Sequence, residues 1–211
     1  MKRVIKISLS CFLITLLFIA GCAKPPTEDI DSAKQAVESA KSAGAEKYLP
    51  DNAKGLDDEL SAALDEVKVQ DGKFPLLRKY DKAKEMLASV RTNAEKLKAD
   101  TLAKKEEAKK NAIASLGEAN SSISNAKTML EKAPAGKETK AEIEALKGDI
   151  KAAEDSLHEV QKAIDGEDYS GATAKANSIK GKADSVSAQV QQAIEKVEAA
   201  KKAKGKKKGK K

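Results

Sequence analysis

The chain has 211 residues, of which 40% are apolar, 35% charged and only 3% aromatic, with no tryptophan and a formal net charge of +7. That composition excludes a large mixed aromatic core and is the one expected of long helices or coiled coils. The charge is unevenly placed. Three basic residues stand in the first 21 positions and eight lysines in 201–211, which leaves −4 on residues 22–200 and gives no support to a basic nucleic-acid-binding domain.

The first segment has the layout of a secretory signal. Lys2, Arg3 and Lys6 precede an uncharged, mostly apolar run from Ile7 to Ala20. The run is short for a spanning helix, which needs about 20 apolar residues. Its ending, Ile19-Ala20-Gly21-Cys22, resembles the lipobox of bacterial lipoproteins, with Ile19 in the place usually held by leucine. The resemblance implies cleavage between Gly21 and Cys22, a diacylglycerol thioether on the Cys22 sulfur and acylation of the new amino group. Two or three acyl chains, at roughly 0.8 kcal/mol per buried CH₂, anchor a protein durably. Ala23 stands where an inner-membrane retention signal would place aspartate. That pattern resembles outer-membrane sorting and implies a lipid-anchored protein of the cell envelope facing the periplasm. An ordinary secretory signal with a chance cysteine, or an uncleaved anchor, is the alternative. Cys11 lies in the signal, so the processed chain (22–211) keeps only Cys22, and no disulfide framework is expected.

Residues 22–27 read as a tether. Thr27 is a candidate cap for a first helix with Glu28 and Asp29 in its first turn. Ile30, Ala33, Val37 and Ala40 form one helical stripe, closed by Gly44. Tyr48-Leu49-Pro50 reads as a turn and Asp51 as the next cap. Ala53, Leu56, Leu60, Ala63 and Val67 give a second helix ending at Gly72. Phe74-Pro75 is predicted to open a third and longest helix, since proline suits a helix start. Its first seam is Leu76, Tyr80, Ala83, Leu87, Val90, Ala94 and Leu97. Its last is Ala112, Leu116, Ala119, Ile123, Ala126, Leu130 and Ala133. The two seams are out of step by one residue, so residues 101–111 are predicted to be a charged, solvent-exposed helical connector across which the stripe changes face. Pro134-Ala135-Gly136 breaks the helix.

A capping box, Thr139 with Glu142, opens a fourth helix. Its seam runs unbroken through Ile143, Leu146, Ile150, Ala153, Leu157, Val160 and Ile164. After a turn at Asp165–Asp168, Ala172, Ala176, Ile179, Ala183, Val186, Val190, Ala193, Val197 and Ala200 mark a fifth. Residues 201–211 are predicted to be a disordered tail, with Gly205 and Gly209 discouraging further helix.

The expected fold is therefore all-α: two three-helix, coiled-coil-like antiparallel units, 28–100 and 112–200, sharing a long central helix and related by duplication. The layout is similar to spectrin-type repeats, without their buried tryptophan. Tyr48-Leu49-Pro50, Tyr80 with Ala83, and Gly166-Glu167-Asp168-Tyr169 with Ala172 resemble marks of an uncharacterised family of alanine-rich helical-hairpin envelope lipoproteins. That resemblance implies a fold and a compartment, and no activity.

Little in the chain reads as reaction chemistry. His158, the only histidine, sits beside the fourth seam with no second His or Cys to share a metal, so no metal is expected. Asp57-Asp58-Glu59, Glu106-Glu107 and Glu154-Asp155 read as solvated helix faces rather than acid–base pairs. Asp165–Asp168 is too short for a calcium-binding helix–loop–helix and reads as a turn and cap. Tyr48, Tyr80 and Tyr169 read as plugs for the bundle ends, hydroxyls in water. The sharpest signal is the cluster of Lys201, Lys202, Lys204, Lys206, Lys207, Lys208, Lys210 and Lys211, a polycation suited to anionic lipid, lipopolysaccharide or peptidoglycan. A terminal lysine after a helical rod also resembles murein-linked outer-membrane lipoproteins.

These readings predict a non-enzymatic lipoprotein, without cofactor beyond the lipid on Cys22, acting as a membrane-anchored helical spacer or tether. The alternative is a periplasmic adaptor or assembly factor that binds a protein partner, or a second copy, through a helical seam.

Overall fold

The computed structural model describes residues 24–133 and 139–208, and among them it contains helices and short connections but no strand. In chain order the helices are α1 (Thr27–Ser42), α2 (Ala45–Tyr48), α3 (Pro50–Asp71), a 3-10 turn (Pro75–Leu77), α4 (Asp81–Lys132), α5 (Lys140–Asp155), α6 (Leu157–Asp165) and α7 (Tyr169–Lys208). Two compact units divide between Lys104 and Lys105, within α4.

In the first unit the expected stripes are the core. Ala33, Val37 and Ala40 of α1 are buried, as are Ala53, Leu56, Ala63 and Val67 of α3, and Ala83, Leu87, Val90, Ala94 and Leu97 of α4. Polar pairs fix the directions. Lys41 meets Asp57 at 2.7 Å, so α1 and α3 are antiparallel neighbours. Lys82 meets Glu66 at 2.8 Å and Asn93 donates to Glu59 at 2.8 Å, which makes α3 and α4 antiparallel. Lys98 donates to Ser39 at 2.8 Å, joining α1 to α4. The unit is an up-down-up three-helix bundle. Gly44, at φ 101°, makes the reversal after α1, a conformation in which a Cβ would be strained.

The second unit repeats the plan. Lys127 of α4 meets Glu154 of α5 at 2.6 Å, Lys175 of α7 meets Glu159 of α6 at 3.9 Å, and Lys180 of α7 meets Glu118 of α4 at 3.9 Å. Residues of the two units correspond. Ala33, Val37, Ala40 and Lys41 correspond to Ala119, Ile123, Ala126 and Lys127, and both lysines bind a carboxylate on the next helix. Tyr80, Ala83, Leu87, Val90, Ala94 and Leu97 share one spacing with Tyr169, Ala172, Ala176, Ile179, Ala183 and Val186, all buried. Fully buried alanines bring the helices close while burying little apolar area per residue, at about 25 cal/mol per Å².

Several boundaries differ from expectation. Thr27 is the first helical residue rather than the cap, and Pro26 precedes it. Asp51 lies in the first turn of α3, behind Leu49 and Pro50, rather than capping it. The long helix does not open at Phe74-Pro75. That pair leads into a 3-10 turn, Arg78 is extended, α4 starts at Asp81, and Leu76 is exposed instead of heading the seam. Thr139 stands at the N-cap of α5, but its side chain makes no capping hydrogen bond. The fourth helix is interrupted at Ser156, whose hydroxyl donates to the Ala152 carbonyl at 2.8 Å while Glu159 N–H turns to the Ser156 carbonyl at 3.1 Å. That i→i−3 bond tightens the turn.

Most of residues 101–111 are exposed on α4, as expected of a charged helical connector, but not all of them. Leu97, Thr101, Lys105, Ala108 and Ala112 step 4-4-3-4, with Thr101 and Ala112 buried and Lys105 and Ala108 half-buried. Thr101 remains acceptable in this position because its hydroxyl donates to the Leu97 carbonyl at 2.7 Å. Finally, α7 does not end near Ala200. It continues to Lys208, through Gly205. Lysine is a good helix former and favours the C-terminal end of the dipole, which offsets the roughly 1 kcal/mol that one glycine costs.

Candidate functional site

Two chain ends were expected to carry function. Gly21 and Cys22 lie outside the described residues. The described chain begins at Lys24, and it enters packed structure at once. Pro26 is buried, its carbonyl accepts from Ile30 N–H at 3.0 Å, and the Pro25 carbonyl accepts from Thr27 N–H at 2.9 Å. A lipid on Cys22 would therefore sit within a few residues of a folded helix.

At the other end, the seam of α7 fades. Ala193 is buried, Val197 half-buried and Ala200 exposed. Lys196 meets Glu142 at 3.9 Å, close to where α5 begins. Beyond it Lys201 and Lys202 are exposed on the helix. Lys204, Lys206, Lys207 and Lys208 follow on the same helical backbone, and Lys210 and Lys211 lie outside the described residues.

Members of two of the acidic clusters, Asp57-Asp58-Glu59 and Glu154-Asp155, are drawn into cross-helix pairs. Asp57 and Glu154 hold Lys41 and Lys127, and Lys105 holds Glu167 at 2.6 Å. The hydrogen bond to Asp57 raises the Lys41 ammonium above its ordinary value. Asp165 accepts from Gln161 at 2.8 Å, and Asp168 accepts from Gly171 N–H at 3.3 Å at the start of α7. His158 is exposed, 3.3 Å from Glu159. No group of three or more His, Cys, Asp or Glu among the described residues could hold a metal. A shallow groove between α3 and α4, with Asn52, Gly55, Glu59, Asn93 and Asp100 on its walls, is open and polar.

The tyrosines do close bundle ends, but not with both buried hydroxyls in water. Tyr80 and Tyr169 are buried and Tyr48 is half-buried, with the Lys47 ammonium 5.7 Å from its ring. The Tyr80 hydroxyl donates to Asp71, and that bond, followed by burial, raises the phenol above its ordinary value. Beside it Gln70 is a buried hub. Its amide donates to Glu66 at 2.8 Å, and its oxygen accepts from Lys73 Nζ at 2.9 Å and Lys79 N–H at 3.2 Å. Glu66, held by Lys82 and then Gln70, has its carboxyl below the usual range. Arg78 donates to the Lys73 carbonyl at 3.0 Å and the Asp71 carbonyl at 2.8 Å. These bonds fix the loop from Gly72 to Lys79 in an open course that lifts Phe74, Leu76 and Leu77 into solvent. Sequence reasoning took this loop for a helix start. The signal against that reading was the 74-76-77 spacing, which no helical stripe contains.

No protein-family model, curated protein or solved structure matches this chain. Among the described residues, no helix is long and apolar enough to cross a membrane.

Proposed function

We propose that the protein is a non-enzymatic lipoprotein of the cell envelope, moored through acyl chains on Cys22, in which two helical bundles present a lysine-rich end to an anionic surface. The observation that carries this reading is the charged, apolar and small-residue succession that ends in Ile19-Ala20-Gly21-Cys22. Two further observations support it. Folded structure begins within five residues of Cys22, as expected where a short tether joins an anchor to a bundle. Lys201 and Lys202 are exposed on α7 beyond Ala193, the last buried seam residue among the described residues, so a partner can reach them without disturbing a core. Near an anionic membrane each contributes about 1 kcal/mol within a Debye length.

The test has two arms. Mass spectrometry of the mature N-terminus, with cell fractionation, reads the anchor: an acylated Cys22 in the membrane fraction is expected, and a soluble chain retaining residues 1–21 overturns the reading. A salt titration on peptidoglycan sacculi and on anionic vesicles reads the lysines. Binding that weakens with salt and with removal of residues 201–211 is expected, and binding indifferent to both removes the tail from the proposal.

A further inference from the structure

The connection from α3 to α4 is longer than its packing role requires. In the first unit twelve residues lie between the buried Val67 and the buried Tyr80. At the equivalent places in the second unit four lie between Ile164 and Tyr169. The bundle can thus be closed by a connection eight residues shorter. The extra residues are chemically distinctive. From Gly72 to Tyr80 the chain carries Lys73, Arg78 and Lys79 and no acidic residue, and it exposes Phe74 (67%), Leu76 (64%) and Leu77 (67%). These are among the most exposed large apolar side chains of the described residues, and they stand together with Val69 at the end of α3. They are not loose. Arg78 ties down the carbonyls of Asp71 and Lys73, and Gln70 holds Lys73 and Lys79, so the loop is set with its apolar tip outward.

The position of the loop identifies what it meets. Lys41 pairs with Asp57, and α1 and α3 run antiparallel. Counting back from 41 to 27 and forward from 57 to 71 spans the same length of helix, so Thr27 is level with Asp71. The loop that follows Asp71 is therefore at the end of the unit where α1 begins. Cys22 is two residues before Lys24, and two residues reach at most about 7 Å. An apolar tip with a basic collar, at the end of the unit where α1 begins and to which a lipid on Cys22 would be tethered, matches an anionic bilayer surface in both chemistry and place. Phe and Leu enter the acyl boundary while Lys and Arg stay at the headgroups.

We infer that the loop Lys73–Lys79 is a membrane foot: Phe74, Leu76 and Leu77 insert into the interface of the bilayer that holds the Cys22 acyl chains, and Lys73, Arg78 and Lys79 engage anionic headgroups. The inference rests on the lipoprotein reading for its orientation and adds a second, non-covalent contact. Together the two contacts set the direction in which the first bundle leaves the membrane, which a single flexible anchor does not.

The chain has no tryptophan, so Phe74→Trp makes a single reporter at the tip. Asn52→Trp makes a control near the start of α3, about 30 Å away along the helix. Each full chain is recovered from the envelope, reconstituted into vesicles of phosphatidylethanolamine and phosphatidylglycerol, and titrated with lipids brominated on their acyl chains. Mass spectrometry of the same preparation reads the state of Cys22. The expected result is blue-shifted emission and bromine quenching at position 74, neither at position 52, and weaker quenching when phosphatidylcholine replaces phosphatidylglycerol. Adding Leu76→Ser and Leu77→Ser to the Phe74→Trp chain should raise the lipid needed by about tenfold for each leucine. All three positions are exposed, and circular dichroism checks that the fold is kept. Acylated Cys22 with no quenching at 74 overturns the foot and leaves the anchor. Quenching at 74 on a chain with a bare Cys22 overturns the anchor and leaves the foot. Absence of both overturns both. A blue shift that needs no vesicles and grows with protein concentration overturns the foot in favour of a second copy.

Discussion

Tyr80 donates its phenolic hydrogen to the carboxylate of Asp71, nine residues earlier in the chain, and so joins the start of α4 to the end of α3. The bond lies beneath the open loop between those helices, and it holds the phenol in its neutral form. A folded-state value raised above that of the unfolded chain means stability that is complete below about pH 10 and is lost as pH rises through the folded value. The unfolding midpoint should therefore fall as pH is raised above 10. Tyr80→Phe should be less stable at neutral pH and should show a shallower alkaline decline. Chemical denaturation followed by circular dichroism at pH 8 and pH 11 compares the two.

Glu66 gives the opposite slope. Lys82 and Gln70 hold its carboxylate, so its folded value lies below the unfolded one. Its contribution is present above about pH 4.5 and is lost as pH falls through the folded value. Glu66→Gln should flatten the acid limb of the stability profile while leaving the alkaline limb unchanged. An unaltered acid limb would show that the pair with Lys82 is not formed in solution.

Each unit has its own core, so core truncations should act locally. Leu87 is 1% exposed in the first unit and Ile150 is 2% exposed in the second. Leu87→Ala and Ile150→Ala should each cost about 2–5 kcal/mol. Hydrogen exchange should lose protection chiefly in residues 27–97 for the first and in 112–132 and 140–193 for the second. Equal loss in both segments from either change would show one cooperative unit.

Two glycines in the first unit should respond to alanine with opposite signs. Gly44 has φ 101°, and a Cβ there would stand 3.3 Å from Tyr48 Cδ2. Gly44→Ala should destabilise by about 1–2 kcal/mol, the cost of a left-handed conformation. Gly55 lies within α3 with open space where a Cβ would be. Gly55→Ala should stabilise by roughly 0.5–1 kcal/mol. Thermal melts of both variants settle the signs.

Removing residues 201–211 should leave the thermal midpoint unchanged, because the last buried seam residue of α7 is Ala193 and the last half-buried one is Val197. Mean residue helicity should change only through the loss of helical residues up to Lys208. A lowered midpoint would reveal that the lysines pack or pair with the bundle.

The seams were readable because helical burial leaves a period. Ala33, Val37 and Ala40, or Ile143, Leu146 and Ile150, declare their faces by spacing alone. What the period did not show was set by single side chains acting against it. Proline at 75 permits a helix start, but Arg78 and Gln70 hold the chain open until Asp81. Thr101 does not read as a core residue until its hydroxyl is seen to be satisfied by its own helix. Ser156 breaks a seam that has no apolar gap. The likeness of the two units was faint in sequence because few of the matched positions are identical; Val37 stands against Ile123 and Val67 against Ile164. Bundle registration made it plain. Of the candidate site, the cysteine and lysine ends were legible as composition. The apolar loop was not, since its exposure depends on the bonds that Arg78 and Gln70 make to Asp71, Lys73 and Lys79, which leave no mark in the hydrophobic period.

The interior contacts of this protein are made to a large extent by methyl groups. Ala33, Ala40, Ala63, Ala94, Ala119, Ala126, Ala176 and Ala183 leave no room for anything bulkier without prising neighbouring helices apart. Such a fold asks its gene for a rhythm of small residues and little else. Between those beats, lysine, glutamate, serine and asparagine are nearly interchangeable, so descendants of one ancestor can drift until letter-by-letter likeness is gone while the backbone stays in place.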